Sequence, residues 1–134
     1  MKKSIAIALV AALCLSSVSA AKKQKAKKVR IGIAKIVQHV ALDDVERGVI
    51  DAINDAGFKA TYDLQNANGD INTANQIASQ FKDEKVDVAV GIATPIAIAL
   101  ANTMKSTPIV FGTVTDPLGA GLVKTLEHGD RNIT

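Results

Sequence analysis

Four short runs of branched and small aliphatic residues recur along this chain: VRIGIAKI at 29–36, ATYDL at 60–64, VDVAVGI at 86–92 and PIVF at 108–111. Stretches with helical spacing separate them, and that alternation constrains the fold more than any other feature. Each run is rich in β-branched side chains and bounded by charged or turn-forming residues, the pattern of a buried strand. After the first run, Leu42, Val45, Val49, Ile53 and Ala56 fall on one helical face, and Gly57 supplies a stop. After the second, Asn66, Asn68 and Gly69 mark a turn. Asp70 then caps a helix whose Ile71, Ala74, Ile77, Ala78 and Phe81 share a face. Thr94-Pro95 reads as a cap and first-turn proline for a third helix ending near Met104, and Asp116-Pro117 repeats the signal for a short helix over 118–126. Strands alternating with helices in this way pair in parallel through right-handed crossovers. The expected fold is α/β, a doubly wound parallel sheet covered on both faces. Gly48, inside the first helix, lowers helix propensity by about 1 kcal/mol relative to alanine and is expected to permit close helix–sheet packing.

The N-terminus has a different character. Lys2 and Lys3 precede an uncharged apolar run from Ile5 to Leu15, and Val18-Ser19-Ala20 fits a cleavage site. This is the layout of a secretory signal peptide over 1–20, and the run is too short to cross a bilayer. The mature chain is therefore expected outside the cytoplasm. Cys14, the one cysteine, lies within that segment and forms no disulfide framework. A lipid anchor at Cys14 is the alternative reading, but Leu13 stands where a lipoprotein carries a small residue.

Lys22, Lys23, Lys25, Lys27, Lys28 and Arg30 crowd the next stretch, whereas from residue 31 onward eight Lys plus Arg face thirteen Asp plus Glu. The net charge of +3 thus belongs to the leader, and the remainder is acidic. No aromatic residue interleaves these lysines, so 21–28 reads as a solvated linker, and no nucleic-acid partner is expected. With no Trp, one Tyr and three Phe, the core must be built from Ala, Val, Ile and Leu.

Ligands of open parallel sheets bind beyond the carboxyl ends of the strands. The places to look are Gln38 and His39 after strand one, Asn66 and Asn68 after strand two, Ala93 and Thr94 after strand three, and Thr113 to Asp116 after strand four. Thr94 is the first choice: the free N–H groups of the helix it opens suit a carboxylate. Thr113 lies near its strand end, while Asp116 either caps a helix or accepts an ammonium. Gln38 and Asn66 offer amides, and His39 reads as a solvent-facing loop residue. His128 is far from His39 in the chain, and no metal site is expected. Asp43-Asp44 falls in the first helical turn, where carboxylates favour the helix dipole, rather than at a strand end as in a phosphate-accepting receiver. No G-x-G-x-x-G or P-loop appears, and no nucleophile has a base beside it. No cofactor is expected, and an enzyme is the less supported class.

The segments VRIGIAKIVQHVALDDVERGVIDAINDAGF, NANGDINTANQIASQF, VDVAVGIATPIAIALAN and TPIVFGTVTDPLGAGLV, with the closing NIT, resemble in register the substrate-binding proteins of an ABC transporter family that includes tryptophan- and aromatic-amino-acid-binding members. The resemblance covers 29–134. It implies a type I periplasmic-binding-protein fold, in which two α/β lobes joined by hinge strands close on a small solute. The solute is then delivered to a membrane permease, and the receptor is a periplasmic monomer. On that pattern residues 29–134 are the N-terminal lobe and the second lobe is missing, since family chains are more than twice as long. Gly129-Asp130-Arg131 replaces the family's usual proline-glycine-glycine turn. The resemblance supports Thr94 as a ligand contact, with Thr113, Gln38, Asn66, Asp116 and Ala93 around it. The alternative expectation is a truncated lobe that is inactive or associates with itself.

Overall fold

The structure, a computed structural model, describes residues 28–134. The signal peptide read at 1–20, Cys14 and nearly all of the basic linker lie outside the described residues. The elements are β1 (Val29–Lys35), α1 (Val40–Asp55), β2 (Ala60–Asn66), α2 (Ile71–Asp83), β3 (Val88–Ile92), α3 (Thr94–Thr103) and β4 (Ile109–Gly112). The strands form one parallel sheet in the order β2-β1-β3-β4. The chain moves one way from β1 to β2 and then returns past β1 to β3. The order therefore reverses beside β1, and the crevice beyond the carboxyl ends of β1 and β3 is a topological switch point.

Side chains alternate across the sheet with period two. Ile31 and Ile33 of β1 join Val90 and Ile92 of β3 on the face covered by α1. On the opposite face Ala34 and Ala89 pack with the buried faces of α2 and α3 (Ala74, Ile77, Ala78, Phe81, Ile96, Ala97 and Leu100). Two glycines allow those helices to come close. A Cβ on Gly32 would lie 2.7 Å from a ring carbon of Phe81, and one on Gly91 would lie 2.9 Å from Leu100 Cδ1 and 3.1 Å from Ala97 Cα. Phe81, the core's fully buried aromatic, thus fills space vacated by a missing side chain. Truncating such a residue to alanine typically costs about 3–5 kcal/mol.

The α1 face is covered less completely. Helix α1 has no fully buried residue, and Leu42, Val45, Val49, Ile50 and Ile53 are only partly buried against the sheet. Val110 on β4 and Leu64 on β2, on the same face, remain 41% and 48% exposed.

Two local expectations need correction. Residues 118–126 form no helix. Pro117 opens a single turn, in which Ala120 N–H donates to the Asp116 carbonyl and Leu122 N–H to that of Pro117. Gly119 and Gly121 explain the early stop, since glycine is costly in a helix and Gly121 adopts φ +68°. The chain instead turns back, and Ile133 forms a parallel bridge with Ile109 beside β4. Gly48 does not serve close packing, because a Cβ there would meet nothing within 4 Å. His39 is exposed on the loop before α1, as expected, and its Nδ1 also accepts the Ala41 N–H at 3.2 Å and caps α1. Asp70 caps α2 as expected, accepting the Thr73 N–H at 2.6 Å, and that bond holds its carboxyl below the usual range. No helix among the described residues is long and apolar enough to cross a membrane.

Two glycine substitutions should therefore move stability in opposite directions. Gly48→Ala is expected to raise it by about 1 kcal/mol, the helix-propensity difference at an exposed site. Gly32→Ala is expected to lower it by about 1–3 kcal/mol, because Phe81 must move. Urea midpoints at unchanged m-value would measure both.

Candidate functional site

The strand-end residues named from the sequence assemble along one edge of the sheet. Lys35 pairs in register with Asn66 on one side and with Ile92 on the other, and Ile92 pairs with Gly112. All four strands therefore finish level. The segments that follow, carrying Gln38, Ala67-Asn68, Ala93-Thr94 and Thr113, leave from the same edge.

The backbone is strained there. Ala93 adopts φ +80°, ψ 154°, a region occupied almost only by glycine. Thr113, the residue after β4, sits at φ +54°. The two are tied together, since Ala93 N–H donates to the Gly112 carbonyl at 2.9 Å. Strain of this kind costs on the order of 1–3 kcal/mol and persists where the surrounding structure over-determines it, commonly at ligand sites.

Ala93, not Thr94, is the N-cap of α3, and no side chain caps this helix. The positive φ of Ala93 starts the helix one residue earlier than the Thr-Pro signal suggests, so Thr94 is its first residue. Pro95 has no N–H to leave unpaired. Ala97 N–H donates to the Ala93 carbonyl, whereas the N–H groups of Thr94 and Ile96 precede the first intrahelical bond. With the Thr94 hydroxyl they form a small donor set at the positive end of the helix dipole.

The remaining candidates have more local partners. Thr113 donates its hydroxyl to the Gly112 carbonyl at 2.7 Å. Asn66 Oδ1 accepts the Asn68 N–H at 2.9 Å, an Asx turn that leaves the Asn66 amide nitrogen as a donor. Asp116 Oδ1 accepts the Gly119 N–H at 2.8 Å, so the capping arm of its two readings is present, although it caps a turn rather than a helix. Gln38 is exposed on the loop after β1.

Sequence reading missed Lys35. It shares the face of Ile31 and Ile33, and so points toward α1, where its ammonium donates to Asp43 Oδ1 at 2.7 Å and Glu46 Oε1 at 3.1 Å. The signal was available: a lysine ending an apolar strand, followed by two acidic residues three apart on the next helix. The Asp43 hydrogen bond raises the Lys35 pKa above the usual lysine value, with Glu46 adding to it and burial opposing. Among the described residues no group of His, Cys, Asp and Glu is arranged to hold a metal ion.

A parallel four-stranded lobe with this strand order, its loops and a bare helix N-terminus gathered at the carboxyl edge, is the build of a type I periplasmic-binding-protein lobe. Over residues 30–134 the chain matches the ABC transporter substrate binding protein family, and it belongs to that family. A tyrosine-binding protein of Clostridioides difficile (strain R20291) is 42% identical over 118 residues, covering 84% of this chain and 34% of its own. The crystal structure of a conserved domain protein from Vibrio cholerae O1 biovar El Tor superposes with a TM-score of 0.78 at 44% identity, over 81% of this chain and 38% of that one. An ABC domain from Streptococcus pneumoniae in complex with L-Trp gives 0.77 at 33% identity, over 81% and 38%. The chain thus spans little more than a third of the length of the relatives it matches. Its family consists of solute-binding proteins rather than enzymes.

Ala93→Gly should stabilise the fold by about 1 kcal/mol, the relieved strain less the added chain entropy, as read from a denaturant midpoint. Because folding raises the Lys35 pKa, the contribution of Lys35 is full below the ordinary lysine range and is lost as pH climbs through the raised value. An alkaline unfolding profile should show that loss, and Lys35→Met should flatten it.

Proposed function

We propose that this chain is the N-terminal lobe of an exported solute receptor of an ABC importer, and that its carboxyl edge forms one wall of the solute cleft. The solute is a small molecule with a carboxylate, and an amino acid fits best. The observation carrying this reading is the pairing of a strained Ala93 with an uncapped α3 N-terminus, whose Thr94 and Ile96 N–H groups have no intrahelical acceptor. A carboxylate there accepts charge-assisted hydrogen bonds at the positive end of a helix. Thr113, beside it just after β4, and Gln38 and Asn66, across the switch point, supply polar contacts to the rest of the solute. Asp116 borders the same edge.

Relatives that bind tyrosine and L-Trp support an amino acid as the solute class. The signal-peptide reading of 1–20 supports a periplasmic or other extracytoplasmic location, with Cys14 lipidation as its variant. Capture proceeds by closure of a second lobe over the cleft, and a membrane permease recognises the closed form. A second reading, self-association of the isolated lobe, is favoured by the exposed Val110 and Leu64 on the α1 face. Sizing chromatography separates the two, since a monomer at micromolar concentration counts against self-association.

Thr94→Val removes a hydroxyl that makes no hydrogen bond among the described residues, so the fold should be unaffected. A hydrogen bond to a charged group is worth about 1.5–3 kcal/mol, so affinity for the bound amino acid should fall about tenfold or more. Calorimetric titration of a panel of amino acids measures this, and unchanged affinity in the variant would remove Thr94 from the cleft.

A further inference from the structure

The four parallel strands all begin at one edge of the sheet, and each is entered from an exposed lysine. Lys28 stands directly before β1 and Lys59 directly before β2, while Lys85 and Lys105 lie in the turns that lead into β3 and β4. The register sets these turns side by side. Val29 N–H donates to the Lys59 carbonyl at 3.1 Å, and Asp87 N–H donates to the Arg30 carbonyl at 2.8 Å. The chain before β1 therefore enters the fold between the turns that carry Lys59 and Lys85. That chain is the basic leader with Lys22, Lys23, Lys25 and Lys27. Neighbouring strands lie about 4.8 Å apart, so adjacent turns fall within one screening length, about 8 Å at physiological salt.

The edge carries carboxylates too. Glu84 and Asp87 are engaged by Arg30, through its guanidinium at 2.7 Å and its backbone N–H at 2.8 Å. Asp51 and Asp55 on α1 and Asp83 on α2 remain as the opposing charges. Lys59 and Lys85 enter no ion pair among the described residues. The fold also supplies the aromatic residue that the leader lacks. Phe58, beside Lys59 in the turn from α1 to β2, is 65% exposed. An exposed ring beside unpaired ammonium groups is the composition of surfaces that rest on anionic lipid, with the ring entering the headgroup layer.

We propose that the amino edge of the sheet, together with the leader that enters it, docks on the anionic phospholipid headgroups of a membrane. On the signal-peptide reading the apolar run ends at Leu15 and the first leader lysine is Lys22, so export delivers this stretch at a membrane face. The inference goes beyond the solute reading and does not depend on where the solute sits. Strand β1 has 7 residues, which separates the amino edge from the carboxyl edge by about 20 Å. Docking there leaves the proposed cleft wall uncovered.

The test is co-sedimentation of the mature full-length protein, without an acyl chain, with vesicles of phosphatidylcholine alone or of equimolar phosphatidylcholine and phosphatidylglycerol. Binding is expected to the mixed vesicles only, and to fade in high salt. A lysine at an anionic surface contributes about fivefold, so Lys59→Gln with Lys85→Gln should weaken binding about twentyfold. Phe58→Ser should weaken it further, and replacing the leader lysines Lys22, Lys23, Lys25 and Lys27 by glutamine should abolish it. All these side chains are outside the core, and amino-acid affinity should not change. Equal binding to both vesicle types, binding to neither, or binding that survives the Phe58, Lys59 and Lys85 substitutions would overturn the assignment of this edge. Displacement from the vesicles by inorganic phosphate, or tighter binding to duplex DNA, would place a free anion or a nucleic acid there and overturn it as well. Solute titration reads the cleft separately, so each of these failures leaves the solute reading standing.

Discussion

Asn66, Lys35, Ile92 and Gly112 lie opposite one another across four parallel strands, and this shared register is the constraint on which the rest of the molecule depends. Strand β1, hydrogen-bonded on both sides, sets it. Because side chains alternate with period two, a one-residue slip of β1 would turn Ile31 and Ile33 away from α1 and push Gly32 out from under Phe81. The apolar pattern therefore fixes the register, and the register brings four loops to one edge. The proposed cleft wall is thus a consequence of core packing.

The same edge is where the structure departs from low-energy backbone. Ala93 and Thr113 both take positive φ, one after each of two neighbouring strands, and the hydrogen bond from Ala93 to Gly112 joins them. That strain is offset by the closeness of α3 to the sheet over Gly91, where Ala97 and Leu100 approach the backbone. A helix held this tightly presents its N-terminal donors in a fixed position, so little would be lost in ordering them for the proposed carboxylate. On the other side of the switch point the Lys35–Asp43–Glu46 cluster ties the end of β1 to the first turns of α1, and so braces the loop that carries Gln38.

Much of this was legible in the sequence, for physical reasons that differ by element. The strands and first three helices follow from apolar periodicity, which burial enforces, and Asp70 from the preference of a carboxylate for free N–H groups. What failed was decided by backbone conformation. Thr94 carries the chemistry of a cap, but the positive φ of Ala93 moves the helix start ahead of it. Two glycines stop the segment after Pro117 at one turn, despite the Asp-Pro signal. His39 is the exposed loop residue expected, and only its capping bond went unread, because an imidazole nitrogen is a weaker acceptor than the oxygens on which cap rules rest. The strand-end candidates were found because topology alone dictates which residues reach the carboxyl edge. The Lys35 cluster was not, because it depends on which face of β1 meets which face of α1.

The most direct test of the account is an amide chemical-shift titration of the ¹⁵N-labelled protein with an aromatic amino acid. If the carboxyl edge is the cleft wall, the largest shifts fall on Thr94 and Ile96, with smaller ones at Gln38 and Thr113. Shifts confined to the outer face of α2, around Asn75 to Glu84, or no shifts at all, would contradict it.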